Sequence, residues 1–214
     1  MIAATRTAAE TDWLLLALVV VSALVLVLVF GLMLYFGWRF RAGNPMRRRP
    51  LPTRTFGLEV GWTAATMLAF FVLDVWAADL YLRQMHAPEG AMKIAVTAKQ
   101  WMWKAEQPNG VREINLVHLP VDRDIEIVMT SEDVIHDFSV PAFRIKRDVL
   151  PGRYTMIWFH TTRTGRFRLY CDQYCGLDHA LMVGHVIVMP AAAYRDWLDH
   201  PGGDAPSPAE GAAP

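Results

Sequence analysis

The stretch Cys171-Asp172-Gln173-Tyr174-Cys175-Gly176-Leu177-Asp178-His179-Ala180-Leu181-Met182 places two thiols, an imidazole and a thioether within twelve residues. That is a soft-metal donor set confined to one loop. A second imidazole, His136, stands thirty-five residues before Cys171 at the end of a strand-like run, so the expected site joins a tight loop to a neighbouring strand. Thiolate and thioether donors select copper, zinc or iron–sulfur, and their mixture with imidazole points most strongly to a copper electron-transfer centre.

The chain has two cysteines, and both lie in this loop. A single-copper blue site needs one Cys. Two thiolates that each bridge two metals would hold a pair of coppers, with His136 and His179 completing one end each, Met182 as a weak axial ligand and a loop carbonyl filling the remaining position. Such a centre spreads one unpaired electron over two metals and two sulfurs, so little geometry changes on reduction. Three plainer readings compete. A disulfide accounts for the cysteines but not for His179 and Met182 at ligand spacing. A zinc site closes with four Cys or His ligands and has no use for the methionine. Met182 alone is compatible with ordinary core packing.

Outward from the loop, the apolar residues are unevenly distributed over the 214 positions. From Trp13 to Trp38 no residue is charged; at helical rise this run reaches roughly 39 Å, enough to cross a hydrocarbon layer of about 30 Å with tilt. A cleaved signal peptide fits less well, because Glu10 and Asp12 precede the run and Arg39 and Arg41 follow it where small residues should stand. The segment is expected to remain uncleaved. A second apolar segment covers Phe56 to Leu82, interrupted by Glu59, Asp74 and Asp79. Between the two, Arg39, Arg41, Arg47, Arg48, Arg49 and Arg54 occur without an acid, which predicts a cytoplasmic loop and both chain ends outside. Asp74 then falls near the outer interface, within reach of water. Glu59 falls at the cytoplasmic end, where it reads equally as a functional intramembrane acid or as a carboxylate favoured by the helix dipole.

From about Met85 to Pro190, short β-rich runs recur between turn signals: Lys93 to Lys99, Glu113 to Leu119, Asp124 to Thr130, Val134 to Val140, Arg153 to His160, Arg166 to Cys171 and Val183 to Met189. Their number predicts an all-β sandwich or Greek-key barrel, with the metal loop linking the last two strands. Ala191 to His200 is predicted helical, and the Pro-, Gly- and Ala-rich residues 201–214 a disordered tail. The expected division is therefore 1–84, a two-helix membrane hairpin; 85–200, a β domain with a short helix; and 201–214, the tail.

Taken together, these residues resemble subunit II of the heme-copper cytochrome c oxidases along nearly the whole chain. The loop fits C-x-x-x-C-G-x-x-H-x-x-M, with His136 at the family's distance before it. Lys146-Arg147-Asp148-Val149-Leu150-Pro151-Gly152-Arg153 is similar to the family's K-x-D-x-x-P-G-R segment, Gln100-Trp101-Met102-Trp103 to its Q-W-x-W motif, and Leu58-Glu59-Val60-Gly61-Trp62-Thr63 to the opening of its second helix. The resemblance implies a membrane α-helical hairpin plus an all-β, cupredoxin-like Greek-key barrel holding a binuclear CuA centre. It implies that Cys171 and Cys175 bridge two coppers, and that His136, His179, Met182 and the backbone carbonyl of Gln173 complete the ligation. It also implies that Trp101 receives the electron, that Glu59 lies at a proton-path mouth, and that electrons pass from cytochrome c to heme in subunit I. Trp103 is expected to pack in the sheet.

Two positions depart from the family. Many members carry, where Gln173 stands, a glutamate that reaches a magnesium ion; magnesium prefers carboxylate and water, so that site is not expected here. Ala64-Ala65-Thr66 stand where proline is frequent, which bears on the helix bend near Glu59.

From Gln84 onward there are thirteen Lys and Arg against sixteen Asp and Glu. This mildly acidic balance would steer a basic cytochrome c, with Glu132, Asp133, Asp172 and Asp178 as candidate docking acids. No C-x-x-C-H occurs, so the chain is expected to carry no c-type heme and to take electrons from a separate protein or subunit. No phosphate loop, nucleophile elbow or basic patch suggests nucleotide, hydrolase or nucleic-acid chemistry. The competing functions are a membrane-tethered copper-delivery protein and the CuA subunit of a nitric oxide reductase. A tether needs neither a second span nor Glu59, and a quinol-oxidase subunit would lack the copper ligands.

Overall fold

The computed structural model describes residues 3–44 and 55–201. Arg47, Arg48, Arg49 and Arg54 of the basic loop, and the tail beyond residue 201, lie outside the described residues.

Two compact units form: Asp12–Asp79, and Met1–Thr11 together with Leu80–Pro214. The first is built from α1 (Arg6–Arg39) and α2 (Phe56–Arg83), each long and apolar enough to cross a membrane. Between Trp13 and Trp38 of α1 and between Phe56 and Asp79 of α2 the large apolar side chains are mostly exposed, as a lipid-facing helix requires and a water-soluble one cannot tolerate. The packing assigns the first turns of α1 differently from the composition. Residues before Asp12 join the β unit: Thr5 bridges Thr161, its hydroxyl donates to the Phe143 carbonyl at 3.2 Å, and Ala4 N–H donates to the Ala142 carbonyl at 3.2 Å.

The second unit is a sandwich of two five-stranded sheets. One sheet runs in the order β3 (Arg112–Ile114), β2 (Met102–Glu106), β1 (Met92–Lys99), β5 (Asp124–Ser131), β8 (Thr155–His160). The other runs β4 (Leu116–Pro120), β10 (Val183–Met189), β9 (Gly165–Cys171), β6 (His136–Val140), β7 (Ile145–Val149). Alternation fills the space between them. Ile94, Val96 and Ala98 of β1, Ile125, Ile127 and Met129 of β5, and Phe138 and Val140 of β6 are buried together with Trp103, Leu169, Val186 and Val188. Trp103 is fully enclosed, with its ring 5.4 Å from Phe138 in edge contact. Pairing is mixed: β1 runs parallel to β5 and β10 parallel to β4, among antiparallel neighbours.

The run expected as one strand over Glu113 to Leu119 is two, in different sheets. Asn115 separates them in the left-handed region, φ 58°, a conformation Asn adopts more readily than most residues. Its N–H donates to the Trp103 carbonyl at 2.7 Å, its Oδ1 accepts from Trp103 N–H at 2.9 Å, and its own carbonyl accepts from His185 N–H at 2.8 Å. This residue therefore carries the chain from one sheet to the other. Strand β6 begins at His136, later than the expected Val134, because Ser131, Asp133 and Val134 close a turn through their side-chain and backbone hydrogen bonds. The helix α3 (Ala191–Asp199) docks through Tyr194 and Trp197, the latter stacked 4.3 Å over His118.

Candidate metal centre

The last two strands, β9 and β10, carry the loop that the sequence singles out, and β6 pairs with β9 so that Phe138 lies opposite Cys171. That register sets His136, at the start of β6, beside Cys171 at the end of β9. Cys171 Sγ is 3.9 Å from His136 Nδ1, 3.7 Å from Cys175 Sγ and 3.2 Å from the Gln173 carbonyl oxygen. Cys175 Sγ is 3.5 Å from His179 Nδ1 and 3.9 Å from Met182 Sδ. The other four sequence-predicted donors thus converge on one thiol pair, with His136, Cys171, Cys175 and Met182 buried. A metal-sized grouping of His136, Cys171 and Cys175 results. At 3.7 Å the sulfurs are free thiols and well beyond a disulfide bond, which is about 2 Å.

Burial, with the Cys171 thiol beside it, pushes the Cys175 thiol up to about 12, so the thiolate needs a bound metal to form in this pocket. The donor set is neutral nitrogen, sulfur and carbonyl oxygen apart from the two thiols, which matches a soft, thiophilic ion. The residues therefore fit copper.

Two supporting residues have roles that motif reading alone did not expose. Asp133, which the sequence offers as a docking acid, lies 2.8 Å from His136 Nε2. Burial works against its charge, yet hydrogen bonds from Gln100 N–H, His136 and Val134 N–H hold its carboxyl down to about 2. With Nε2 tied to this carboxylate, His136 presents Nδ1 to the thiols, the carboxylate–histidine arrangement that orients metal ligands. A carboxylate three residues before a candidate histidine was the available signal. Gln100 is the second: its Nε2 donates to the Cys175 carbonyl at 2.7 Å, and the same carbonyl accepts from Trp101 Nε1 at 3.3 Å. These bonds tie β1 and β2 to the metal loop.

Gly176 belongs to this contact. It adopts φ 125°, and a Cβ there would meet Gln100 Nε2 at 2.9 Å and Trp101 Cζ2 at 3.0 Å. Of the remaining candidate docking acids, Glu132 is engaged by Lys104 at 2.8 Å and Lys99 at 3.4 Å. Its carboxyl is held below the usual range, by Lys104 foremost. Asp172 and Asp178 are exposed on the loop, Asp172 lying 3.9 Å from Lys146 Nζ. Glu59 belongs to the other unit, in the first turn of α2, where its carboxylate accepts from the Thr55 hydroxyl.

Comparison with known proteins gives a consistent answer. Residues 109–190 match the family model described as cytochrome C oxidase subunit II, periplasmic domain. The chain is 27% identical over 240 residues to cytochrome c oxidase subunit 2 of Cereibacter sphaeroides, covering 92% of this chain and 77% of the relative. It is 37% identical over 115 residues to heme-copper oxidase subunit 2 of Aeropyrum pernix, covering 51% and 49% respectively. The crystal structure of the periplasmic domain of cytochrome oxidase subunit II (CoxB) of Bradyrhizobium japonicum superposes with a TM-score of 0.51 at 30% identity, covering 53% of this chain and 95% of that domain.

Proposed function

Since this chain belongs to the cytochrome c oxidase subunit II family, we propose that its metal loop and His136 hold a binuclear copper centre that accepts electrons from cytochrome c and passes them to heme in subunit I. The chain is a subunit of a heme-copper oxidase, and oxygen reduction belongs to another subunit of that complex. The observation that carries the copper assignment is the convergence of four nitrogen, sulfur and oxygen donors on two buried thiols 3.7 Å apart. When bound, the copper pair supplies a delocalised one-electron carrier.

In this reading Cys171, Cys175, His136, His179, Met182 and the Gln173 carbonyl would hold the copper, the two cysteines as thiolates and the two histidines through Nδ1. Neighbouring residues hold the donors in place. Asp133 fixes the His136 ring, and Gln100 and Trp101 hold the Cys175 carbonyl. Burial of the thiols excludes water and limits the reorganisation that accompanies each electron. Trp101 is the route inward, supported by its contact with the backbone of a ligand cysteine. Around the loop Tyr174, Leu177 and Leu181 are exposed, Leu177 at 93%, and form an apolar rim suited to a transient protein donor.

Residues 12–79 anchor the chain with both ends on the periplasmic side, and the unit that contains residues 80–200 forms the outer domain. The arginines of the interhelical loop support that orientation. No heme-attachment motif and no magnesium ligand at position 173 accompany the copper site.

The test is copper content and spectrum. The purified chain reconstituted with copper is expected to bind two coppers, turn purple and give a seven-line mixed-valence paramagnetic signal when oxidised. One copper with a four-line signal, or a Cys171 to Cys175 disulfide that persists with copper present, overturns the assignment. Copper delivery in place of electron transfer would show as ready transfer of the metal to an apo-acceptor.

A further inference from the structure

Away from the metal loop, a cavity of about 290 Å³ opens within the β unit, where the first turns of α1 and the last turn of α2 meet β5 and β8. Arg6, Glu10, Arg83, Asp124, Trp158 and His160 line it. None of these residues takes part in the metal centre.

Its level in the membrane follows from chain position. Glu10 precedes the uncharged Trp13–Trp38 run by three residues, about 4.5 Å of helix. Arg83 ends α2 one residue after the apolar segment that closes at Leu82. The cavity therefore sits where hydrocarbon gives way to headgroups. Trp158, a residue type enriched at that depth, donates its Nε1 to the Arg83 carbonyl at 3.2 Å and forms one wall.

Its chemistry is paired. Arg6 brings a guanidinium group, and α1 adds the positive end of its dipole with no acid in its first turn. Glu10 and Asp124 bring two carboxylates; His160 Nδ1, 2.8 Å from Asp124 Oδ1, fixes the second. Guanidinium matches a phosphodiester, and carboxylate matches an ammonium that has N–H groups to donate.

We propose that this cavity seats the headgroup of a phosphatidylethanolamine molecule, its phosphate on Arg6 at the start of α1 and its ammonium on Glu10 and Asp124. Phosphatidylcholine offers the same phosphate but no N–H donor. Phosphatidylglycerol and free phosphate offer no cation. The proposal rests on the chain being a membrane subunit of the oxidase family, and it adds a lipid to that reading.

The experiment is native mass spectrometry of the full-length chain equilibrated in micelles with equal phosphatidylethanolamine, phosphatidylcholine and phosphatidylglycerol. Phosphatidylethanolamine is expected to be retained about tenfold over phosphatidylcholine, the value of one charge-assisted hydrogen bond. Glu10→Gln is expected to erase that preference while phosphatidylcholine retention stays level, and Arg6→Gln to lower both. Equal retention by the wild-type chain, preference for phosphatidylglycerol, or selectivity untouched by Glu10→Gln overturns the proposal. So does loss of the lipid on assembly with subunit I, which would make the cavity a subunit contact. The copper spectrum of the same samples reports the metal centre independently, so failure of the lipid site and failure of the copper assignment are distinguishable.

Discussion

The indole Nε1 of Trp101 donates to the backbone carbonyl of Cys175 at 3.3 Å, which joins an aromatic ring in the turn between β1 and β2 to the main chain of a candidate metal ligand. Trp101→Phe keeps a ring and removes the donor. Because Gln100 also holds that carbonyl at 2.7 Å, the loop keeps one of its two anchors, and stability is expected to fall by about 1 kcal/mol or less. The copper spectrum is expected to remain, while electron uptake from reduced cytochrome c, followed by stopped-flow absorbance, is expected to slow severely. Wild-type uptake rates would return Trp101 to a packing role.

Gly176→Ala attacks the same junction from the loop side. The left-handed φ of 125° and the close approach of Gln100 and Trp101 both oppose a Cβ. About 1–3 kcal/mol of destabilisation is expected, visible as a lowered thermal midpoint of the copper-loaded chain. Loss of the carbonyl contacts should also perturb the copper absorption bands, which a purely remote destabilisation would leave alone.

Much of this is legible in the sequence. The twenty-six uncharged residues from Trp13 to Trp38 admit few readings besides a membrane span, and donors at fixed spacing in a loop survive ignorance of the surrounding sheets. Two strands escaped notice. In β7, Lys146, Arg147 and Asp148 are exposed between buried Ile145 and Val149, so charge hid a strand that touches the core only at its ends. In β2, only Trp103 and Ala105 point inward, and the alternation is too short to stand out. The break at Asn115 depends on a backbone conformation that only the surrounding Trp103 and His185 contacts impose. The contact of Asp133 with His136 is hidden from the sequence for a similar reason: its neighbour in space is an imidazole that the turn at Ser131 folds back toward it.

That last pair gives a third prediction. Asp133→Ala removes the acceptor on His136 Nε2 and leaves the ring free to rotate. Copper affinity, measured by competition with a chelator, is expected to fall by about 10–100-fold, with the same type of spectrum once the metal is saturating. Unchanged affinity would mean that burial in the core alone positions the ring.

The C-terminal helix supplies a prediction with a pH axis. Tyr194 donates its hydroxyl to Gln107 Oε1 at 2.7 Å, and Gln107 Nε2 in turn donates to Glu113 at 2.9 Å. Burial, with the Glu113 carboxylate nearby, pushes the Tyr194 hydroxyl up to about 12 from an ordinary value of 10. A raised folded value means that the neutral phenol is favoured by folding. Its contribution is complete below pH 10 and is lost as pH rises from about 10 to about 12. Thermal midpoints of the wild-type chain are expected to drop across that window. Tyr194→Phe is expected to start lower by about 1 kcal/mol, for the lost hydrogen bond, and to fall less steeply. Parallel curves for the two chains would assign the alkaline loss to other groups.

Glu59 tests the part of the functional reading that lies farthest from the copper loop. Its carboxylate accepts from the Thr55 hydroxyl in the first turn of α2, a geometry that a helix-start carboxylate satisfies without any role in proton movement. Gln at this position keeps the size and an acceptor oxygen but cannot exchange a proton. If the structural role is the whole role, Glu59→Gln removes a dipole interaction of about 0.3–1 kcal/mol and leaves turnover of the assembled oxidase untouched. If the residue stands at a proton-path mouth, reduction-linked proton uptake slows while the copper centre still fills with electrons at the wild-type rate. The second outcome is the expected one, because the proposed topology puts an ionisable group at the membrane boundary on the side from which protons are drawn. Thr55→Val separates the two further: it removes the hydroxyl partner and keeps the carboxylate, so it should cost stability without slowing proton uptake.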